Sequence, residues 1–213
     1  MLVALLSVAL AGCWNPFAPP DEGDPPEETE VQYKVRTTPA NVIYNLNTSY
    51  KYTNLEEYLA CLADNFEFIL NPDDVADPDT DLPESWGKTD EEDIHERMFG
   101  LGDTTGVDGI DLTLTNVSSQ WNQGADPIDP SDDTWEFLET TDLRVTIGEW
   151  TFLANADQKY TFQIDPNETG PEGEDLWEIV IWEDLKEEAA MGGRAPGENT
   201  ERSSVGRIKA MYR

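Results

Sequence analysis

The sequence predicts an α+β domain, with N-terminal helices packed on a curved antiparallel sheet. Apolar residues recur at helical spacing up to about residue 100, then alternate strictly with polar ones beyond Gly109. The helical segments all precede the long strands, whereas a doubly wound parallel sheet would interleave them. Residues 37–213 are also enough chain for one core that stands without disulfides.

Thr38-Pro39 opens the first helix, with Thr as cap and Pro at the first helical position; Ile43, Leu46 and Tyr50 then share a face. A second helix starts at Asn54, with Glu57 three residues on as in a capping box, and buries Leu55, Tyr58, Leu59 and Leu62. Phe66, Phe68 and Leu70 alternate as a short strand closing on the helix pair. Residues 71–88 form a Pro/Asp loop, after which Thr89 with Glu92 caps a third short helix ending near Gly100. Ile110, Leu112 and Leu114 mark the next strand, and Trp135, Phe137, Thr141, Leu143, Val145 and Ile147 one face of a longer one. Tyr160, Phe162 and Ile164, then Trp177, Ile179 and Ile181, mark two more. Residues 187–200 form a Gly/Pro-rich loop before a terminal strand supplied by Val205, Ile208 and Met211.

Ahead of the domain, the apolar run Leu2–Leu10 suits a secretory signal and is too short to span a bilayer. It closes on Leu10-Ala11-Gly12-Cys13, which resembles a bacterial lipobox. Residues 1–12 are then a cleaved signal peptide, and Cys13 carries the acyl chains that anchor the protein to a membrane. No Lys or Arg precedes the apolar run, which is consistent with a start upstream of Met1. Trp14 is not the Asp associated with inner-membrane retention, so the outer membrane is the expected address, facing the periplasm or the cell surface. Residues 13–36 are rich in Pro, Asp and Glu and form a disordered tether.

The formal charge of −32 lies wholly beyond residue 12, since residues 1–12 hold no charged side chain. So acidic a chain cannot displace counterions from nucleic acid, and it is repelled by anionic headgroups. A solvated, self-repelling surface accounts for the charge, and a cationic ligand is the sharper alternative. With Cys13 lipidated, Cys61 has no disulfide partner and reads as a buried hydrophobe.

His95 is the single histidine. A general base is one reading, with Glu91 four residues back to orient it; a surface residue of an acidic helix is the blander one. One His and two Cys exclude an ordinary zinc site. Asp77, Asp79 and Asp81 match the first ligands of an EF-hand loop, but Leu82 and Lys88 stand where Gly and Glu are needed, so a solvated loop is preferred to calcium. Trp135 and Trp177 fall on core faces, whereas Trp150 and Trp182 are out of phase and suit a pocket rim or interface. No residue set implies a cofactor.

The stretch "LNTSYKYTNLEEYLACLADNFEFIL", Leu46 to Leu70, resembles the opening of the NTF2-like superfamily, also called SnoaL-like or ketosteroid-isomerase-like. "LWEIVIWEDL" at 176–185 and "GRIKAMYR" at 206–213 are similar to the last long strand and closing segment of its bacterial lipoproteins. By element order the resemblance covers residues 38–185. It implies a sheet wrapped round a helix into a cone with an apolar pocket, and homodimers through the outer sheet face. Enzymatic members hold an Asp, or a His/Asp pair, in the pocket, and no position here carries that residue across. The expected function is a lipid-anchored, non-enzymatic module that binds a small apolar molecule or a partner. An isomerase or dehydratase using a carboxylate and His95 is one alternative, and a structural dimerising envelope subunit the other.

Overall fold

The computed structural model describes residues 31–101, 107, 109–115, 122–123, 135–185 and 200–213. Apart from Val31 and Gln32 these belong to one compact unit, Tyr33–Arg213. Cys13, the tether to residue 30, the acidic stretch 126–133 and most of the loop 187–200 lie outside the described residues.

Helix α1 (Pro39–Lys51) starts as its sequence dictates: the Thr38 side chain accepts from Asn41 N and Pro39 occupies the first turn. It buries Val42, Ile43, Leu46 and Tyr50. Helix α2 (Leu55–Ala60) is capped by Asn54, whose Oδ1 accepts from Glu57 N at 3.2 Å. Cys61 ends it, fully buried, and burial pushes its thiol up to about 12, which makes it packing rather than a nucleophile. Strand β1 (Leu62–Ile69) follows, then a single-turn helix α3 (Pro72–Val75) and strand β2 (Ser85–Gly87) within the segment expected to be loop.

Helix α4 (Lys88–Met98) differs from expectation at its start. Gly87 is the N-cap and no side chain caps it, because β2 pairs with β1 and delivers the chain directly into the first turn. Its buried stripe is Glu91, Ile94, His95 and Met98, the i, i+3, i+4, i+7 face of an amphipathic helix.

The strands that follow are β3 (Gly109–Thr115), β4 (Asn122–Gln123), β5 (Trp135–Ile147), β6 (Trp150–Thr169), β7 (Asp175–Asp184) and β8 (Thr200–Arg202). The sheet order is β2-β1-β7-β6-β5-β3, with β4 on β5 and β8 on β6. The sheet is mixed rather than wholly antiparallel: β1 runs parallel to β7, and β8 to β6. The long hairpin β5–β6 turns on Gly148, whose φ of 58° suits glycine, and Glu149.

Chain register explains one misplaced tryptophan. Phe162 pairs with Ile179 but Thr161 with Ile181, so β7 carries one extra residue there. This bulge bends the sheet and shifts the inward phase, placing Trp182 on the same face as Ile179. Trp182 is therefore fully buried, not at a rim. Trp150, after the hairpin turn, is 49% exposed.

The chain ends in a helix rather than a strand. Helix α5 (Val205–Ala210) is capped by Ser204, whose hydroxyl accepts from Arg207 N, and it buries Val205, Gly206, Ile208 and Lys209 while Met211 faces solvent. Gly206 lets α5 sit close to the sheet: a Cβ there would meet Asp184 Oδ2 at 3.1 Å and Leu70 and Phe68 at 3.3 Å, so those side chains would have to give way.

Candidate functional site

Six side chains from five elements meet in the core: Tyr50 from α1, Tyr58 from α2, Trp86 from β2, Glu91 and His95 from α4, and Lys209 from α5. Trp86 is 4% exposed and the other five are wholly inaccessible. His95 is thus not the surface residue expected of an acidic helix. The other carboxylates of α4, Asp90, Glu92, Asp93 and Glu96, lie on its outer faces, and the turn that carries Glu91 and His95 points inward with Ile94 and Met98.

Glu91 is the hub. Its Oε1 accepts from Trp86 Nε1 at 2.8 Å and from the Lys209 ammonium at 3.0 Å, and its Oε2 accepts from the Tyr58 hydroxyl at 2.8 Å. His95 Nδ1 lies 2.9 Å from both Glu91 Oε2 and the Glu91 carbonyl oxygen. Both neighbours are acceptors, so the proton sits on Nδ1, and Nε2 accepts from the Tyr50 hydroxyl at 2.7 Å. Aromatic rings fix the imidazole, with Tyr58 stacked on it at 3.9 Å between centroids and Tyr50 and Phe99 edge-on.

Burial alone would raise the Glu91 carboxyl, but the Lys209 and His95 contacts outweigh it and hold the group well below the usual carboxylate range. Burial lowers His95, against the pull of Glu91, and so favours the neutral imidazole. It also lowers Lys209, which Glu91 counteracts. The ammonium lies 3.6 Å from the Trp182 ring centroid and 4.2 Å from that of Phe68. The resulting cluster is one carboxylate and one ammonium, neutral overall, in contact with each other.

A second buried network borders it. Asp184 Oδ1 accepts from Gln158 Nε2 at 2.6 Å and its Oδ2 from Gly206 N at 2.7 Å, while Gln158 Oε1 accepts from Trp182 Nε1 at 2.6 Å. Burial raises the Asp184 carboxyl to about 6. Open to substrate, a Tyr–His–Glu–Lys set would serve general acid–base chemistry. Here its donors and acceptors answer one another.

The structure brings His95 and Glu91 together as the helical spacing implied, but it separates the remaining candidates. Asp77 Oδ2 lies 3.2 Å from Arg207 Nη1 and its Oδ1 accepts from Asp79 N, so its oxygens serve the fold. No three such ligands converge among the described residues. Sequence reasoning missed Lys209, Asp184 and Gln158. The buried stripe of α4 was the available signal for the site, since Glu91, Ile94, His95 and Met98 are spaced as a core face.

Among solved structures the chain is similar to an NTF2-like protein with a cystatin-like fold from Novosphingobium aromaticivorans, at 11% identity over 70% of this chain and 80% of that one, TM-score 0.44. An NTF2-like protein of unknown function in nutrient uptake from Rhodospirillum rubrum is 14% identical over 68% of this chain and 93% of its own, TM-score 0.45. An NTF2-like protein from Cytophaga hutchinsonii is 14% identical over 68% and 91%, TM-score 0.43. The likeness is one of fold. No family model and no curated protein matches the chain.

Proposed function

We propose that the chain is a non-enzymatic binding module of the bacterial cell envelope, held to a membrane by lipid on Cys13. The observation that carries the non-enzymatic part is the closure of the His95 cluster: the groups suited to proton transfer have no accessible surface, and Glu91, His95 and Lys209 are bonded to one another. A general base must come within hydrogen-bond reach of its substrate. The fold spends these groups on joining α4, α5 and the helix pair instead. Support for the address is the lipobox-like sequence ahead of an acidic, Pro-rich tether. Among the described residues no helix is long and apolar enough to cross a membrane.

The single histidine makes the test clean. Native protein exposed to diethyl pyrocarbonate should acylate His95 at least about a hundredfold more slowly than urea-unfolded protein, the ratio set by an opening free energy near 3 kcal/mol. Native reactivity close to that of the unfolded chain would open the cluster to substrate and remove the non-enzymatic reading. Separately, Cys13→Ser should move the protein from the membrane to the soluble fraction; retention at the membrane would remove the anchor.

A further inference from the structure

Residues 31–55 hold none of the chain's 45 Asp and Glu, yet they keep Lys34, Arg36 and Lys51. This longest acid-free stretch is the entry into the domain together with helix α1, whose inner stripe of Val42, Ile43, Leu46 and Tyr50 is buried. On the opposite side of the helix Ala40, Tyr44 and Lys51 are exposed at helical spacing.

The residues ahead of α1 are held along its flank. Asn45, buried in the helix, accepts from Lys34 N at 2.8 Å and donates to the Lys34 carbonyl at 2.7 Å, and Asn41 Nδ2 donates to the Val35 carbonyl at 2.8 Å. The Lys34 ammonium lies 3.9 Å from the centroid of the Tyr44 ring, and that of Lys51 lies 5.4 Å from Tyr52. Val35, Tyr44 and Tyr52 are 46%, 42% and 47% exposed, three of the seven large hydrophobic side chains left exposed among the described residues. Single exposed hydrophobic residues are ordinary, but three grouped with two lysines and no carboxylate make a patch. Glu56 and Glu57 in the first turn of α2 border it, and Arg36 turns away to pair with Asp165 and Glu168.

We infer, taking the Cys13 anchor proposed above as given, that this face of α1 lies on the surface of the anchoring membrane. The patch is the outer side of a helix rather than a groove, so it suits a broad surface and cannot enclose a small molecule. Tyrosine rings and lysine stems are the side chains that rest at headgroup level, with the apolar part inward and the hydroxyl or ammonium in water. The chain from Cys13 to Val31 spans eighteen residues, at most about 60 Å, which keeps the domain near the bilayer. The domain's carboxylates lie on its other faces and are repelled by headgroup phosphates, so the acid-free face is the one turned toward the lipid.

Lysine acetylation by a membrane-impermeant N-hydroxysuccinimide ester, read by mass spectrometry, tests this. Lipidated full chain added to preformed phosphatidylcholine vesicles is compared with soluble Cys13→Ser, both at about 150 mM NaCl, where the Debye length is about 8 Å. Lys34 and Lys51 should label at least about threefold more slowly on the vesicles, while Lys159, on β6 and paired with Glu183, should label equally in both. Tyr44→Glu, which places a carboxylate in the patch at an exposed position, should remove most of the Lys51 protection while the protein still floats with the vesicles. Flotation without protection of Lys34 and Lys51 would overturn the assignment of this face and leave the anchor standing. Failure to float would remove the anchor and the assignment together. Protection already present in Cys13→Ser and rising with its concentration would give the face to a second copy of the chain, which also overturns the membrane assignment.

Discussion

Replacing Lys209 with Met would keep most of the apolar stem and remove the ammonium. Glu91 would then be a carboxylate with no accessible surface and no countercharge, its other partners being the Trp86 and Tyr58 donors and a neutral imidazole. Breaking a buried pair from one side costs about 3–5 kcal/mol. Against a typical stability of about 5–15 kcal/mol, that lowers the melting temperature by about 6–20 °C for a chain of this size. The pH response gives the sharper test. In the native protein Glu91 titrates below its unfolded value, so its contribution is present above about pH 4.3 and lost as pH falls through that range. In Lys209→Met the folded value should move above the unfolded one, so the deficit is greatest at neutral pH and shrinks on acidification. Urea unfolding followed by circular dichroism at pH 7 and pH 5 would show this. Adding Glu91→Gln should restore most of the loss. Its carbonyl can accept from Trp86, the Tyr58 hydroxyl can reverse to accept from its amide, and His95 keeps the Glu91-position carbonyl as acceptor. A deficit below about 1 kcal/mol at pH 7, or no recovery in the double variant, would refute the account of Glu91 as a charge held by Lys209.

Asp184 should act with the opposite sign. Its folded value near 6 lies above the unfolded 3.8, so ionisation is penalised in the fold and relaxes as pH drops; wild type should gain about 1 kcal/mol on Asp184→Asn between pH 7 and pH 5 in urea melts. That variant should also lose about 1–3 kcal/mol at pH 7, because its NH2 must face one of two donors, the Gln158 NH2 or the Gly206 N–H, while Gln158 Oε1 stays committed to Trp182; wild-type-like stability would break the network reading. The imidazole resonances of His95 should not move near pH 6.5 in nitrogen-detected spectra of the folded protein, since burial lowers its titration; a midpoint at 6.5 would contradict its closure. Gly206→Ala should cost about 1–3 kcal/mol by pushing α5 from Asp184 and Phe68, read as a shifted urea midpoint with unchanged slope.

The helices were legible because their signals are local. Thr38, Pro39 and Asn54 act on neighbours two to four residues away, and the structure places α1 and α2 where those caps put them. The long strands were legible through alternation. Parallel pairing of β1 with β7 was not, because it joins segments more than 100 residues apart and no turn specifies it. The phase of Trp182 failed for a related reason: one inserted residue in β7 reverses every inference made by counting from Trp177, and no residue at the insertion announces it.

Half of the site was legible and half was not, and the division follows the physics of charge. Glu91 and His95 share a helix face four residues apart, so their pairing was readable, yet their burial was discounted because Asp90, Glu92 and Asp93 made the whole segment look solvated. Periodicity carried the better information, since a face bearing Ile94 and Met98 leaves no room for a solvated neighbour between them. Lys209 lies in a tail with Arg202, Arg207 and Arg213, whose charge suggests docking on the chain's own acidic body but not which cation is buried. Its partner stands 118 residues upstream, and only the folded chain shows that the same helix turns Arg207 to solvent beside Asp77 and Lys209 inward against Trp182 and Phe68. The two cations should accordingly differ in weight: Arg207→Ala removes a pair 42% exposed on the arginine side and should change stability by less than about 1 kcal/mol, where Lys209→Met changes it several-fold more. Equal effects from the two would mean that α5 is held by its surface charges, leaving the buried cluster incidental to its docking.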